Sequence, residues 1–133
     1  MTTHQAACCC GQLRLTTVGE PVRVSMCHCL ECQRRAGSVF GTQARFERAQ
    51  VTAIEGRAAQ YERVGDAGNR LTFHFCPACG STVYWVLSGQ PDLIAIAVGA
   101  FADPGFPPPR VSVYGRRRHG WVTLPETIRE HVD

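Results

Sequence analysis

The 133-residue sequence contains no lysine; all 14 of its basic residues are arginine. That absence excludes Schiff-base catalysis through a lysine amine, and arginine-only usage is otherwise what a GC-rich codon bias produces. Long apolar runs are missing too. The longest, Leu93 to Phe101, falls well short of the roughly 18 residues a membrane span needs. Met1 to Ala7 has neither a basic nor an apolar export region, so no membrane partner and a cytoplasmic location are expected. Helical periodicity is scarce, and no internal repeat or low-complexity tail stands out. The length suits one ordinary domain, so a single architecture is expected over residues 1–133.

Cysteine, by contrast, is abundant, with eight residues in tight clusters. In a small secreted chain they would read as a disulfide framework, but without an export signal the clustering favours thiolate–metal chemistry. The formal charge of +3 counts those cysteines as neutral. Seven ligating thiolates and two divalent ions would bring it to about zero, which argues against a nucleic-acid partner.

Most segments read as short strands. Leu13, Leu15 and Thr17 alternate with polar residues, as do Val22, Val24 and Met26, then Leu71, Phe73 and Phe75. Thr82 to Leu87 and Leu93 to Val98 are continuous apolar runs suited to buried strands. Turns are expected over 18–21, 65–69 and 88–92, and a proline-rich loop from Asp103 to Arg110. Two short helices are expected: Leu30 to Ala36, stopped by Gly37, and Pro125 to His131. The fold class that follows is mainly β: a small domain of antiparallel sheets stapled by zinc, with few short helices.

In a strand, Cys8 and Cys10 would point to one face and Cys9 to the other. Cys76-Pro77-Ala78-Cys79-Gly80 reads as a zinc knuckle, and Cys10-Gly11 repeats its ending. These two half-sites assign Cys8, Cys10, Cys76 and Cys79 to a closed structural zinc, which would supply folding free energy that a small β domain otherwise finds hard to reach. Cys27, Cys29 and Cys32 form a second group without an obvious fourth cysteine. Three protein ligands and an open position are what a catalytic zinc needs; the alternative is a second closed site completed by Cys9, His28 or His74. His28, between two ligands, is expected to point away from the metal, to support the site or face solvent. His74 alternates with Phe73 and Phe75 and is expected at the surface or beside the metal site.

Cys8-x-Cys10-Gly11, then Cys27-His28-Cys29-x-x-Cys32-Gln33-Arg34 with Gly37-Ser38, then Phe75-Cys76-Pro77-x-Cys79-Gly80-Ser81 resemble the glutathione-dependent formaldehyde-activating enzyme family, which includes centromere protein V. The resemblance runs from Cys8 to about Pro125, ending in Trp121-Val122-x-Leu124-Pro125. It implies a β-tent fold and two zinc ions, one on Cys8, Cys10, Cys76 and Cys79, the other on Cys27, Cys29 and Cys32. It also implies carbon–sulfur lyase activity on a small thiol–aldehyde adduct such as S-hydroxymethylglutathione, with glutathione or a similar thiol as cosubstrate. Where the family carries a His-apolar-Trp stretch, this sequence has Ser112, Val113 and Tyr114, which loosens the substrate assignment.

Arg34, Ser38 and Phe40 follow the second cluster closely and are candidate pocket residues, although core packing is the simpler role for Phe40. Trp85 and Trp121 read as core or rim aromatics. The run Arg116-Arg117-Arg118-His119 is a solvated turn by default, or else a pocket edge that pairs with carboxylates. Two further functions stay open: a non-enzymatic zinc module that carries a thiol or docks a protein, and a redox protein using Cys9.

Overall fold

The computed structural model describes residues 1–65 and 67–133, so Asp66, inside the turn expected over 65–69, lies outside the described residues. Along the described chain run β1 (Thr3–Ala7), β2 (Arg14–Val18), β3 (Arg23–Cys27), α1 (Leu30–Ala36), β4 (Gly41–Glu47), β5 (Val51–Glu55), β6 (Ala59–Val64), β7 (Arg70–Phe75), β8 (Thr82–Leu87), β9 (Leu93–Ala97), β10 (Val111–Val113) and β11 (Glu130–Val132). β1, β2 and β5 form a three-stranded antiparallel sheet. The other eight strands form a second sheet in the order β11-β10-β3-β4-β9-β8-β7-β6. No described helix is long and apolar enough to cross a membrane.

Side-chain alternation gives the large sheet two different faces. On β4, Ala44 and Phe46 are fully buried while Gln43 and Arg45 point the other way. The inward set joins Ile94 and Ile96 of β9 with Ala6 and Leu15 of the small sheet, so the core lies between the two sheets. Across the opposite face the register sets Arg23, Arg45, Ala95, Trp85, Phe73 and Tyr61 side by side over six strands. That second face carries its own small apolar cluster around Phe73, Trp85 and Ala95.

Three expectations need correction. The large sheet is not wholly antiparallel, because β10 pairs in parallel with both β3 and β11. The helix expected over Pro125 to His131 is absent: a turn is followed by β11, held by Arg129 N–H donating to Arg110 O (2.7 Å). So short a segment gains little as an isolated helix, whereas the free edge of β10 offers it backbone partners. Cys8 and Cys10 are not on a strand either. They occupy a turn after β1, closed by Gly11 N–H donating to Cys8 O (3.0 Å).

The turn that holds Cys10 is itself braced. Gln12 Nε2 donates to Arg57 O (2.7 Å), and Arg57 N–H donates back to Gln12 Oε1 (2.9 Å). Gly56, next to Arg57, sits at φ +96° with its backbone against Gln12; a Cβ there would lie 1.9 Å from Gln12 O. Gly56→Ala is therefore expected to destabilise the metal-loaded protein by at least the ~1–3 kcal/mol of left-handed strain, read as a lower urea midpoint.

Candidate metal centres and the adjoining cavity

Two turns of similar build bring the first four sulfurs together. Gly80 N–H donates to Cys76 O (2.8 Å), as Gly11 N–H does to Cys8 O. Both glycines hold nearly the same left-handed φ, +82° for Gly11 and +81° for Gly80, a conformation a β-carbon would strain. The Sγ atoms of Cys8, Cys10, Cys76 and Cys79 all lie within 4.8 Å of one another. Cys8–Cys10 and Cys10–Cys76 separations are 3.6 and 3.7 Å, close to the ~3.8 Å set by one tetrahedral ion with bonds of about 2.3 Å.

Donors converge on these sulfurs. Leu13 N–H reaches Cys8 (3.3 Å), and Cys76 accepts from Gln12 Nε2 (3.0 Å), Ala78 N–H (3.4 Å) and Cys79 N–H (3.5 Å). Such bonds favour thiolates. Ser81, with its hydroxyl 3.4 Å from Cys79 Sγ, brings that thiol down to about 5. A backbone hydrogen bond from Gln12 favours the Cys10 thiolate, but crowding by Cys8 and Cys76 outweighs it and pushes the thiol up to about 11. Four sulfurs this close together are a donor set that fits one cation. Cys9 is exposed and outside the group; its N–H donates to Ser81 Oγ (3.2 Å).

The second group is built by a strand running into a helix. Cys27 ends β3, Cys29 caps α1 and accepts from Cys32 N–H (3.3 Å), and Cys32 follows in the first turn. Their sulfurs also lie within 4.8 Å of one another, and no other Cys, His, Asp or Glu among the described residues joins them. Hydrogen bonds from Cys27 and Cys32 hold the Cys29 thiol far below its ordinary range, while the bonds of Cys27 to Cys29 and Cys32 push Cys27 up. A cation again resolves the conflict.

His28 is neither a ligand nor solvent-facing. It is fully buried, its Nε2 lies 3.2 Å from Ser112 Oγ, and burial, aided by the Arg118 charge, holds it below its usual pKa. The position that departs from the family pattern is thus this buried partner. His74 stacks on Tyr84, with ring centroids 4.3 Å apart.

The two groups differ in what surrounds them. Cys27, Cys29 and Cys32 border a cavity of about 440 Å³, which the four-cysteine group does not line, a volume typical of small-molecule sites. Of the expected pocket residues, Arg34 lines it, but Ser38 and Phe40 are not among its lining residues. The helix turns away at Gly37, leaving Ser38 exposed, and Phe40 packs beside His28 instead (centroids 6.1 Å).

Arg116 and Arg117 line the cavity, the pocket-edge role weighed for the basic run. Arg118 donates to Val122 O, and His119 lies 3.1 Å from Gln33 Oε1. Trp121, expected in the core or at a rim, is 73% exposed.

Sequence reasoning missed Arg23, Arg35, Arg45, Arg63, Phe73 and Trp85, all of which line the cavity. The Arg35 guanidinium lies 4.3 Å from the Trp85 ring centroid and that of Arg63 5.5 Å from Phe73, contacts that fix cations in place. The usable signal was alternation on β3, which puts Arg23 on the same face as Cys27.

A family model described as glutathione-dependent formaldehyde-activating enzyme matches residues 3–117. The match starts ahead of Cys8 and stops short of the Trp121-to-Pro125 motif. A crystal structure of a Rhodobacter sphaeroides protein is similar in fold, with TM-score 0.57 and 18% identity over 78% of this chain and 91% of that one. No curated protein matches the sequence.

Gln12 ties the Cys76 sulfur to the Arg57 backbone through three hydrogen bonds. Gln12→Ala is expected to weaken metal retention at the four-cysteine centre by about 10- to 100-fold, measured by competition with a chromogenic chelator, with the three-cysteine centre unaffected.

Proposed function

Because the chain belongs to the glutathione-dependent formaldehyde-activating enzyme family, we propose that it is a zinc-dependent carbon–sulfur lyase. Its substrate would be a thiol–aldehyde adduct of the S-hydroxymethylglutathione kind, interconverted with free thiol and aldehyde. The observation that carries this reading is the placement of Cys27, Cys29 and Cys32 on the wall of the arginine-lined cavity. Soft thiolate donors suit zinc. Cys8, Cys10, Cys76 and Cys79 would hold a structural ion, and Cys27, Cys29 and Cys32 a second one. When bound, that second ion supplies the Lewis acidity that favours a thiolate over a thiol at neutral pH.

The chain's own residues do the rest. Cleavage of the adduct breaks the carbon–sulfur bond; the electron pair leaves with sulfur, the hydroxyl gives up its proton to solvent water, and the carbonyl forms. The departing thiolate develops negative charge in a cavity where Arg34, Arg35 and Arg63 set a positive potential, and neighbouring cations favour thiolates. Arg35 and Arg63 keep that potential in place through their stacking on Trp85 and Phe73. Thiols add to formaldehyde unaided, so the barrier the protein must lower is modest.

Cys29→Ser is the direct test. Zinc per chain is expected to fall from about two to about one, with turnover of S-hydroxymethylglutathione lost and the fold retained by the four-cysteine centre. Unchanged turnover would remove the reason for calling this metal catalytic. A wild-type chain that binds the thiol yet turns over no adduct would instead be a thiol carrier.

A further inference from the structure

The cavity is charged well beyond what the cysteines need. Seven arginines line it, namely Arg23, Arg34, Arg35, Arg45, Arg63, Arg116 and Arg117, against one lining carboxylate among the described residues, Glu31. Glu31 pairs with Arg34 (3.0 Å), and none of the other six is ion-paired among the described residues. Two of them stand in an arrangement that works against the fold. Arg23 and Arg45 are direct cross-strand partners on β3 and β4, and like charges so opposed are destabilising.

Both members of the pair have an empty donor. Arg23 Nε and Arg45 Nε are buried without a hydrogen-bond partner, as is Gln43 Oε1, one alternation step nearer the cysteines. Arg45 is oriented from outside by Gln90, whose Oε1 accepts from Nη1 at 2.9 Å. Burial, and secondarily the Arg23 charge, disfavour the Arg45 cation. Two opposed guanidinium groups on a cavity wall, each with an unpartnered Nε, are what a site for an anion looks like before the anion arrives, since planar forks bind carboxylates bidentately.

We propose that Arg23 and Arg45 form an anion subsite that holds a substrate carboxylate at the end of the cavity remote from Cys27. The inference rests on the reading of Cys27, Cys29 and Cys32 as the reacting end. Cys27 and Arg23 are four residues apart on β3, about 13 Å at about 3.3 Å per residue. A ligand that engages both is therefore a peptide-sized thiol with a carboxylate distant from its sulfur, and neutral or two-carbon thiols leave the subsite empty. Arg23 and Arg45 are specificity-determining residues, not catalytic ones.

Calorimetric titration of the zinc-loaded chain with S-methylglutathione, which binds without reacting, and with its dimethyl ester separates the alternatives. Arg23→Gln and Arg45→Gln are each expected to weaken the diacid by about tenfold to a hundredfold while leaving the ester unchanged. The melting temperature is expected to hold or rise as the opposed charges are relieved. A wild-type chain that does not prefer the diacid, or variants that bind it as tightly as wild type, would overturn the proposal. So would a lowered melting temperature with equal loss of both ligands, which marks the pair as structural. Diacid preference without turnover of any adduct would remove the lyase reading and leave the subsite standing. Turnover whose KM neither substitution moves would do the reverse.

Discussion

Mutual repulsion among crowded thiolates is the constraint on which this molecule is organised. Cys8 and Cys10 follow the first strand of the small sheet, and Cys76 and Cys79 lie between two strands of the large one. Their sulfurs come within 4.8 Å of one another at the rim of the core that the sheets share. Without a cation the same proximity would push the sheets apart at that corner. With one, repulsion becomes coordination, and two segments about seventy residues apart in sequence are tied at a point. The backbone and Gln12 donors aimed at these sulfurs make sense only in that light, because they stabilise charge that the fold must otherwise avoid.

The second cysteine group has a different setting. A strand terminus and the start of a helix supply three sulfurs, which border a charged cavity instead of a second cysteine turn. What distinguishes the two cysteine groups is therefore topology more than residue type. The first group is built by two turns approaching from opposite sheets, while the second draws all its sulfurs from one short segment beside the cavity.

Much of this was legible in the sequence because its signals are local. Cysteine spacing specified both groups, with following glycines in the first, the apolar runs specified β8 and β9, and Leu30 to Ala36 with Gly37 specified α1. Non-local pairing was not legible. β10 is three residues long and takes its strand character from β3 and β11 on either side, so nothing in Val111 to Val113 alone announced a parallel partner. The same reason hid the C-terminal strand behind a plausible helix start at Pro125. The cavity walls were missed because Arg45, Trp85, Phe73 and Arg63 come from four strands scattered in sequence and meet only through register. Ser38 and Phe40 were expected in the cavity from nearness in sequence, which the turn at Gly37 overrides.

The placement of the two tryptophans gives the molecule an optical asymmetry. Trp85 is 3% exposed and lies beneath the Arg35 guanidinium, whereas Trp121 is 73% exposed. One indole emits from a dry, cation-capped environment and the other from water. A molecule that enters the cavity and shifts Arg35 changes the blue side of the fluorescence spectrum only, and the red side serves as an internal reference.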